Sequence, residues 1–377
     1  MPDTSQWQTE AMSDEEARGR FLGSILGGAV GDALGAPVEF MSRKEIVDRF
    51  GGQGITDYAP AYGKLGAITD DTQMTLFTAE GLLRAYVRGC EKGIVSHESM
   101  VGYAYLRWLR TQGEDASDAL LAHTAMDAPG WLIGHRELHH RRAPGRTCLG
   151  ALRGMNSPGR AAANNSKGCG GVMRVAPAGL YALNYEPVPW FAFRLGQDLA
   201  ALTHGHPTGF LPAGVLAVLV MTLAGGASFN TALEIALECL KQEPDHEETL
   251  KAIDQACGLA VLGVEADTAI RALGQGWVAE EALAIAVYCV LKASSLREGL
   301  LLAVNHDGDS DSTGAIAGNL LGAIYGANAI PGEWLEPLEL RDVITETSDD
   351  LFSFRSWQIS EYGPIVPEGI WEKYPGG

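Results

Sequence analysis

The sequence predicts an all-α fold, because apolar residues recur at three- and four-residue spacing along almost the whole chain. The stretch from Ala232 to Leu240 is typical, and its apolar residues would share one face of a helix. Sustained alternation of polar and apolar residues, the pattern of a half-buried strand, is hard to find. Breakers at residues 186–189, 225–226 and 243–245 divide the chain into many helices of ordinary length. We therefore expect a single helical domain.

We place the start of this domain at residue 17, so that it spans residues 17–377 behind a polar N-terminal extension of residues 1–16. The extension has neither the basic start nor the apolar core of a signal peptide. The six cysteines are far apart and include no C-x-x-C pair, which indicates buried thiols rather than disulfides. Both features predict a cytoplasmic protein.

The net charge of −19, from 47 acidic and 28 basic residues, argues against two classes of partner. Such a charge repels both a nucleic-acid backbone and an anionic membrane surface, so we expect neither as a partner. An anionic substrate would need a local source of positive charge, and bound metal ions would provide one.

The first predicted helix and a later one each have glycine at every fourth position, on one face. A glycine costs about 1 kcal/mol relative to alanine within a helix, so such rows need a compensating interaction. Close backbone approach at a helix crossing would provide it, and we expect both helices in the centre of the bundle, where they could touch. The two rows are Gly23, Gly27, Gly31 and Gly35, and Gly314, Gly318, Gly322 and Gly326. They would bring acidic residues beside each row to one site.

Two acidic clusters each precede a predicted helix. The first is Thr69-Asp70-Asp71, before a helix predicted over residues 74–87, and the second extends from Asn305 to Thr313. Helix capping would explain either cluster alone, because acids favour the N-terminal end of the helix dipole. However, the second cluster packs three carboxylates into residues 307–311, and a cap needs only one.

A bound cation would remove the repulsion among these carboxylates. Mg²⁺ and Mn²⁺ prefer carboxylate, hydroxyl and water oxygens, which both clusters offer. The second cluster is similar to a calcium EF-hand loop, but no Glu stands at the final ligand position and the next helix starts too soon. The two clusters together therefore predict a two-metal hydrolytic site.

Glycine-rich and histidine-containing segments are weaker candidates. The stretch from Ser166 to Arg174 matches neither a Walker A motif nor a Rossmann loop. We interpret it as a loop whose backbone N–H groups bind an anion such as a diphosphate, with Lys167 or Arg174 nearby; the alternative is a plain turn. His204 is a candidate pocket or metal-binding residue. His135 and His139 have helical spacing and lie among arginines, which indicates a solvated polar face without a role.

The apolar stretch over residues 209–227 is long enough to be scored as a membrane span. It has no flanking Lys or Arg anchors, and Pro212 stands near its start, as at the first position of a helix. We therefore predict a buried central helix.

On these residues the chain resembles the ADP-ribosylglycohydrolase family. The resemblance depends on four segments in order, and it extends over roughly residues 18 to 330. They are Gly27 to Glu39, Thr69 to Thr72, Ser166 to Pro177, and Gly308 to Thr313 with its glycine-bearing helix.

The resemblance implies an orthogonal helical bundle with two Mg²⁺ or Mn²⁺ ions at the base of a cleft. The implied metal ligands are Thr69, Asp70, Asp71, Asp309, Asp311 and Ser312, with Asp311 bridging the ions. Ser312 replaces a more usual threonine and keeps the hydroxyl. The implied catalytic residues are Glu39, Asp70 and Asp311. Substrate binding would involve Asp32, Ser166, Gly168, Cys169, Gly170, Gly171 and His204.

The resemblance also implies an activity, the removal of ADP-ribose from modified proteins, with arginine as the expected linkage. Some bacterial members are immunity proteins against ADP-ribosylating toxins. An ADP-ribosylated protein and a cognate toxin are thus the expected partners, and the extension from Met1 to Glu15 could contact the toxin. Two alternatives remain open: hydrolysis of another ADP-ribosyl linkage, and binding of a toxin or ADP-ribose without turnover.

Overall fold

The structure is a computed structural model that describes residues 12–115, 130–360 and 367–377. Within these ranges the chain forms seventeen α-helices and no β-strand, so the predicted all-α fold is confirmed. The α-helices are α1 (Asp14–Gly35), α2 (Arg43–Phe50), α3 (Asp70–Lys92), α4 (His97–Thr111), α5 (Arg146–Arg153), α6 (Ala176–Tyr185), α7 (Pro189–Ala201), α8 (Pro207–Ala224), α9 (Phe229–Leu240), α10 (Glu247–Leu262), α11 (Ala266–Leu273), α12 (Ala279–Lys292), α13 (Leu296–Val304), α14 (Ser310–Tyr325), α15 (Gly332–Leu335), α16 (Arg341–Ser353) and α17 (Ile370–Lys373). Short 3₁₀ helices lie at Leu132–Gly134, Arg136–Leu138, Cys169–Gly171, Ala327–Ala329 and Phe354–Ser356.

Capping residues determine where the functionally important helices begin. The Ser13 side chain accepts a hydrogen bond from the backbone N–H of Glu16, so α1 already starts at Asp14. Residues 14–16 of the predicted extension thus form the first turn of α1, and residues 1–11 lie outside the described residues. Thr69 caps α3, which begins four residues before the predicted Met74. It ends at Lys92 because Gly93 adopts a left-handed conformation with φ of 67°.

The two glycine rows pack against each other, so α1 and α14 form a backbone-to-backbone pair. A Cβ atom added to Gly31 would lie 2.0 Å from the carbonyl oxygen of Gly314, and one added to Gly318 would lie 2.0 Å from that of Gly27. No side chain larger than hydrogen fits at these crossings. Gly326 differs from the others, because it caps the end of α14 with a φ of 75° and a Cβ atom added to it would lie 3.6 Å from the nearest atom, the Gly19 carbonyl oxygen.

Helix α8 is the predicted buried central helix. Among the described residues it alone is long and apolar enough to cross a membrane, and 89% of its apolar window is buried inside the protein. The prediction for Pro212 was wrong: Pro207 occupies the first turn, and Pro212 lies inside the helix. The N-cap residue of α8 is His206, whose ring accepts a hydrogen bond from the Thr208 N–H.

All six cysteines are free, and no disulfide forms. The prediction of buried thiols is wrong for Cys90, which is exposed near the end of α3, while Cys148, Cys239 and Cys289 are buried. Residues 70–85 of α3 are buried on every face, and Cys90 is exposed because the last turns of the helix extend beyond the core.

Candidate active site

A cavity of about 550 Å³ lies where the end of α1 meets the beginnings of α3 and α14. Ten residues that the sequence singled out line it: Glu39, Asp70, Asp71, Gly168, Cys169, Gly170, His204, Asp309, Asp311 and Ser312. Four others do not: Asp32, Thr69, Ser166 and Gly171. Acidic groups more than two hundred residues apart in sequence thus share one cavity.

The α3 half of the site is the first turn of that helix. The Thr69 hydroxyl accepts a hydrogen bond from the Asp71 N–H and lies 3.3 Å from Asp71 Oδ2. Asp70 Oδ2 accepts a hydrogen bond from the Gly145 N–H at 3.2 Å. The buried Oδ1 atom of Asp71 has no hydrogen-bond partner, which is costly for a carboxylate unless a cation or ligand meets it.

The α14 half of the site is likewise the first turn of a helix, together with the residue that caps it. Asp309 caps the helix by accepting a hydrogen bond from the Ser312 N–H, and Asp311 Oδ1 accepts a second one from the same group at 3.0 Å. The Cys169 thiol lies 2.8 Å from Asp309 Oδ2. Asp307 points elsewhere, because its carboxylate accepts a hydrogen bond from the Arg43 N–H. Only two of the three carboxylates in this cluster therefore face the cavity.

Asp32 lies behind the cavity wall rather than on it. Its fully buried carboxylate accepts hydrogen bonds from the backbone N–H groups of Thr69 and Thr72 and from the Thr72 hydroxyl. Burial and the charge of Asp311 raise the pKa of Asp32 to about 7. Asp32 thus holds the first turn of α3 in place. The family resemblance implied that it contacts the substrate, but the structure places it behind the residues that line the cavity.

Burial raises the pKa of the carboxyl groups in the cavity. Burial and the charge of Asp311 raise the pKa of Asp70, of Asp71 and of Asp309 well above the usual range. The pKa of Asp311 is itself raised by burial. None of these groups forms an ion pair with any described residue. Gathering them is therefore unfavourable unless protons or cations neutralise their charge.

Glu39 lies just beyond α1 with a buried Oε2 atom that has no hydrogen-bond partner. Burial, followed by the charge of Asp311, raises the pKa of Glu39 to about 11. The next residue, Phe40, has a φ of 68°, a strained conformation for a residue other than glycine. Its exposed ring stacks on Trp277 at a centroid distance of 5.4 Å, and both rings line the cavity. No sequence pattern predicts this aromatic pair, and only the adjacency of Phe40 to Glu39 connects it with the site.

The glycine-rich loop packs around His204. A Cβ atom on Gly170 would lie 3.3 Å from the His204 ring, so glycine lets the backbone approach the imidazole. Burial and the nearby Arg174 lower the pKa of His204 to about 3, and its ring is thus neutral at ordinary pH. Its Nδ1 atom is 2.8 Å from the Thr203 hydroxyl.

The two basic residues suggested as anion ligands in this loop do not face the cavity. Lys167 forms ion pairs with Glu248 and Glu280. Arg174 is buried, donates to the Thr203 hydroxyl at 2.7 Å and lies over the Tyr105 ring. Partners remote in sequence thus hold both side chains, and neither of them lines the cavity beside which the loop was expected to bind an anion. The arginines that line the cavity are Arg141 and Arg146 instead.

The polar segment around His135 and His139, which we predicted to be a solvated helical face, contains one buried arginine with a structural role. His135 and His139 flank a 3₁₀ helix rather than sharing an α-helical face. The neighbouring Arg142 is buried and pairs with Glu339. Arg142 also donates to the Ile68 carbonyl at 2.9 Å, so this ion pair fixes the loop that leads into Thr69.

The donor chemistry of the cavity fits hard divalent cations. Its carboxylates and the Ser312 hydroxyl offer the oxygen ligands that Mg²⁺ and Mn²⁺ prefer, and Asp71 Oδ1 lacks any other partner. Among the described residues, however, no three His, Cys, Asp or Glu side chains already stand in metal-binding geometry. The residue types therefore match a metal centre, and the side chains would have to turn towards the ions on binding.

The sequence model of the family described as ADP-ribosylglycohydrolase matches residues 13–359. The chain belongs to the ADP-ribosylglycohydrolase family. The resemblance seen in the four sequence segments is thus confirmed, together with the enzyme class that it implies.

Members of this family resemble the chain along most of its length. The ADP-ribosyl-[dinitrogen reductase] glycohydrolase of Rhodospirillum rubrum is 30% identical, over 88% of this chain and 94% of its own length. The ADP-ribosylarginine hydrolase Tri1 of Pseudomonas putida is 27% identical, over 94% of this chain and 83% of its own. A solved structure of an ADP-ribosylglycohydrolase-related protein complex superimposes with a TM-score of 0.61 at 27% identity, over 90% of this chain and 98% of that one.

Proposed function

We propose that this ADP-ribosylglycohydrolase removes ADP-ribose from arginine in modified proteins, with two Mg²⁺ or Mn²⁺ ions in the acidic cavity. The ions would be held by Thr69, Asp70, Asp71, Asp309, Asp311 and Ser312. The observation that supports this most is the meeting of the first turns of α3 and α14 in one cavity, with buried carboxylates that form no ion pair with a cationic side chain of the described residues.

Each group around the cavity has a distinct task in this proposal. The ions would orient the ribose through its hydroxyl groups and make water a stronger nucleophile. Glu39, half-buried with an unpartnered oxygen, would take or return a proton beside the scissile bond. The backbone of Gly168 to Gly170 would hold the diphosphate, and neutral His204 would support that loop and the ligand. The Phe40–Trp277 pair would shield the bond from bulk water.

The arginine linkage is supported by the Pseudomonas putida relative, which is an ADP-ribosylarginine hydrolase by name and matches 94% of this chain. Hydrolysis of another ADP-ribosyl linkage is the alternative, because the same metal site would serve it. Immunity against a toxin remains a prediction, since residues 1–11 of the extension lie outside the described residues.

Release of ADP-ribose from an arginine-modified protein is the test of this function. We expect release with Mg²⁺ present and none after chelation, with activity restored when Mg²⁺ is added back. A serine-modified protein serves as the matched substrate. Faster release from the serine-modified protein would contradict the arginine linkage, and release that survives chelation would contradict the metal site.

Replacement of Glu39 by glutamine tests its role in proton transfer. Glutamine keeps the shape of the side chain but cannot accept a proton, so we expect kcat to fall about a hundredfold. The Kd for ADP-ribose, measured by calorimetry, should change by less than about threefold. A variant that no longer binds ADP-ribose would instead make Glu39 a ligand-positioning residue.

A further inference from the structure

The guanidinium group of Arg174 is buried behind the glycine-rich loop without a carboxylate partner. The side chain is fully buried, and it forms no ion pair with any residue in the described ranges. It donates to the Thr203 hydroxyl at 2.7 Å, and it also contacts the sulfur atoms of Met74 and Cys148 and the face of the Tyr105 ring. Burying a cation without a counter-ion is costly. A function of this charge would offset that cost.

The Thr203 hydroxyl connects Arg174 to His204. Because a guanidinium group can only donate, the hydroxyl oxygen accepts from Arg174. Its single hydrogen then has two acceptors within reach, the His204 Nδ1 atom at 2.8 Å and the Ala200 carbonyl oxygen at 3.4 Å. The shorter contact is the stronger one, so the hydroxyl donates to Nδ1. A neutral imidazole that accepts at one nitrogen carries its hydrogen on the other, which places the hydrogen of His204 on Nε2.

The Nε2 atom of His204 faces the glycine-rich loop. A Cβ atom added to Gly168 would lie 3.2 Å from Nε2, and one added to Gly170 would lie 3.6 Å from it. His204 lines the acidic cavity together with both glycines, and Nε2 has no hydrogen-bond partner among the residues that the structure describes. Burial and the charge of Arg174 lower the pKa of His204 to about 3, so the ring stays neutral. It therefore offers a single N–H donor beside the loop.

We propose that Arg174 and Thr203 are positioning residues that hold His204 in this tautomer, so that its Nε2–H group donates a hydrogen bond to a phosphate oxygen of the ADP-ribosyl group. In the other tautomer Nε2 would present a lone pair to the anion and repel it. Arg174 thus favours the anion without touching it, because it sets the direction of two successive hydrogen bonds. This inference depends on the proposed function for the identity of its ligand.

The tautomer can be measured without substrate. Long-range proton–nitrogen correlation spectra show which ring nitrogen bears the hydrogen, and the signals of His204 are those that disappear in His204→Gln. We expect the hydrogen on Nε2 in the wild type. Thr203→Val should show a measurable fraction with the hydrogen on Nδ1, because valine keeps the shape of threonine but neither donates nor accepts.

The binding of ADP-ribose, measured by calorimetry, tests the consequence of the tautomer. We expect the Kd to rise about tenfold in Thr203→Val, the scale of a lost hydrogen bond to a charged group. Arg174→Met should weaken binding similarly, and it keeps the test valid if Thr203→Val does not fold, because it leaves no buried charge without an acceptor. Thr203→Ser keeps the hydroxyl and should bind within about twofold of wild type. Thr222→Val is the matched control, because Thr222 is equally buried and its hydroxyl bonds only to backbone carbonyls of α8.

Three results would overturn the inference. The first is a wild-type His204 with its hydrogen on Nδ1. The second is a Kd for ADP-ribose that neither Thr203→Val nor Arg174→Met changes, or a wild type that does not bind ADP-ribose. The third is equal weakening in Thr203→Ser or Thr222→Val, which would indicate a general packing effect. None of these measurements needs turnover, so an enzyme that binds ADP-ribose but releases none from arginine would contradict the proposed function alone.

Discussion

Replacement of Asp311 by alanine is expected to lower kcat/KM by about a thousandfold or more while the protein remains folded. Asp311 is buried in the centre of the acidic cluster, and its charge raises the pKa of five neighbouring carboxyl groups. A loss of about 4 kcal/mol of transition-state stabilisation is the scale expected when a central electrostatic group is removed. Rates of ADP-ribose release and calorimetric Mg²⁺ titration measure both consequences.

The metal-free variant should unfold at a temperature no lower than that of metal-free wild type, because one of several mutually repelling charges is gone. Mg²⁺ should raise the unfolding temperature of the wild type only. Asp307→Ala is the matched control: this aspartate belongs to the same sequence cluster but contacts the Arg43 N–H instead of the cavity. Activity within about tenfold of wild type in Asp311→Ala would refute the assignment of the site.

Replacement of Gly31 by alanine is expected to destabilise the protein by more than about 4 kcal/mol. The added Cβ atom would lie 2.0 Å from the carbonyl oxygen of Gly314 and 2.3 Å from its carbon. Backbone atoms cannot move aside as a flexible side chain does, so α1 and α14 would have to separate. Urea denaturation followed by circular dichroism gives the free energy of unfolding, and failure to yield soluble protein would agree with the expectation.

Gly19→Ala provides the control on the same helix. No atom lies within 4 Å of a Cβ added at Gly19, and alanine favours helix by about 0.5–1 kcal/mol over glycine. This variant should therefore be as stable as wild type or slightly more so. Equal stabilities of the two variants would show that the close packing of the glycine rows is not what holds the pair together.

The parts of the fold that sequence could predict are those set by local patterns. Helical periodicity predicted the all-α class, and the glycine rows predicted the contact between α1 and α14. Both predictions succeed because regular spacing along a helix places residues on one face. Helix ends were less predictable. Thr69 caps α3 earlier than its apolar pattern suggests, since the first turn of that helix presents acids to the cavity rather than apolar residues to the core.

The candidate site likewise combines residues that a local sequence pattern predicts with residues that meet only through folding. Asp70, Asp71, Asp309 and Asp311 stand out because like charges are crowded within a few residues. Phe40 and Trp277 are far apart in sequence and meet only through folding, so no local signal connects them. Sequence alone does not reveal the ion pairs of Lys167, because its partners Glu248 and Glu280 are more than eighty residues away. The charge of a loop cannot be assigned to a ligand until its long-range ion pairs are known.

The pairing of α1 with α14 also determines when the site can exist during synthesis. Helix α1 ends at residue 35 and α14 begins only at residue 310, so the two glycine rows cannot meet until most of the chain has left the ribosome. A nascent chain that stops before residue 309 already has Glu39 and the α3 acids but lacks Asp309 and Asp311. Contacts between such distant segments form late in folding. Unfinished chains thus lack half of the candidate site, which is completed only late in synthesis.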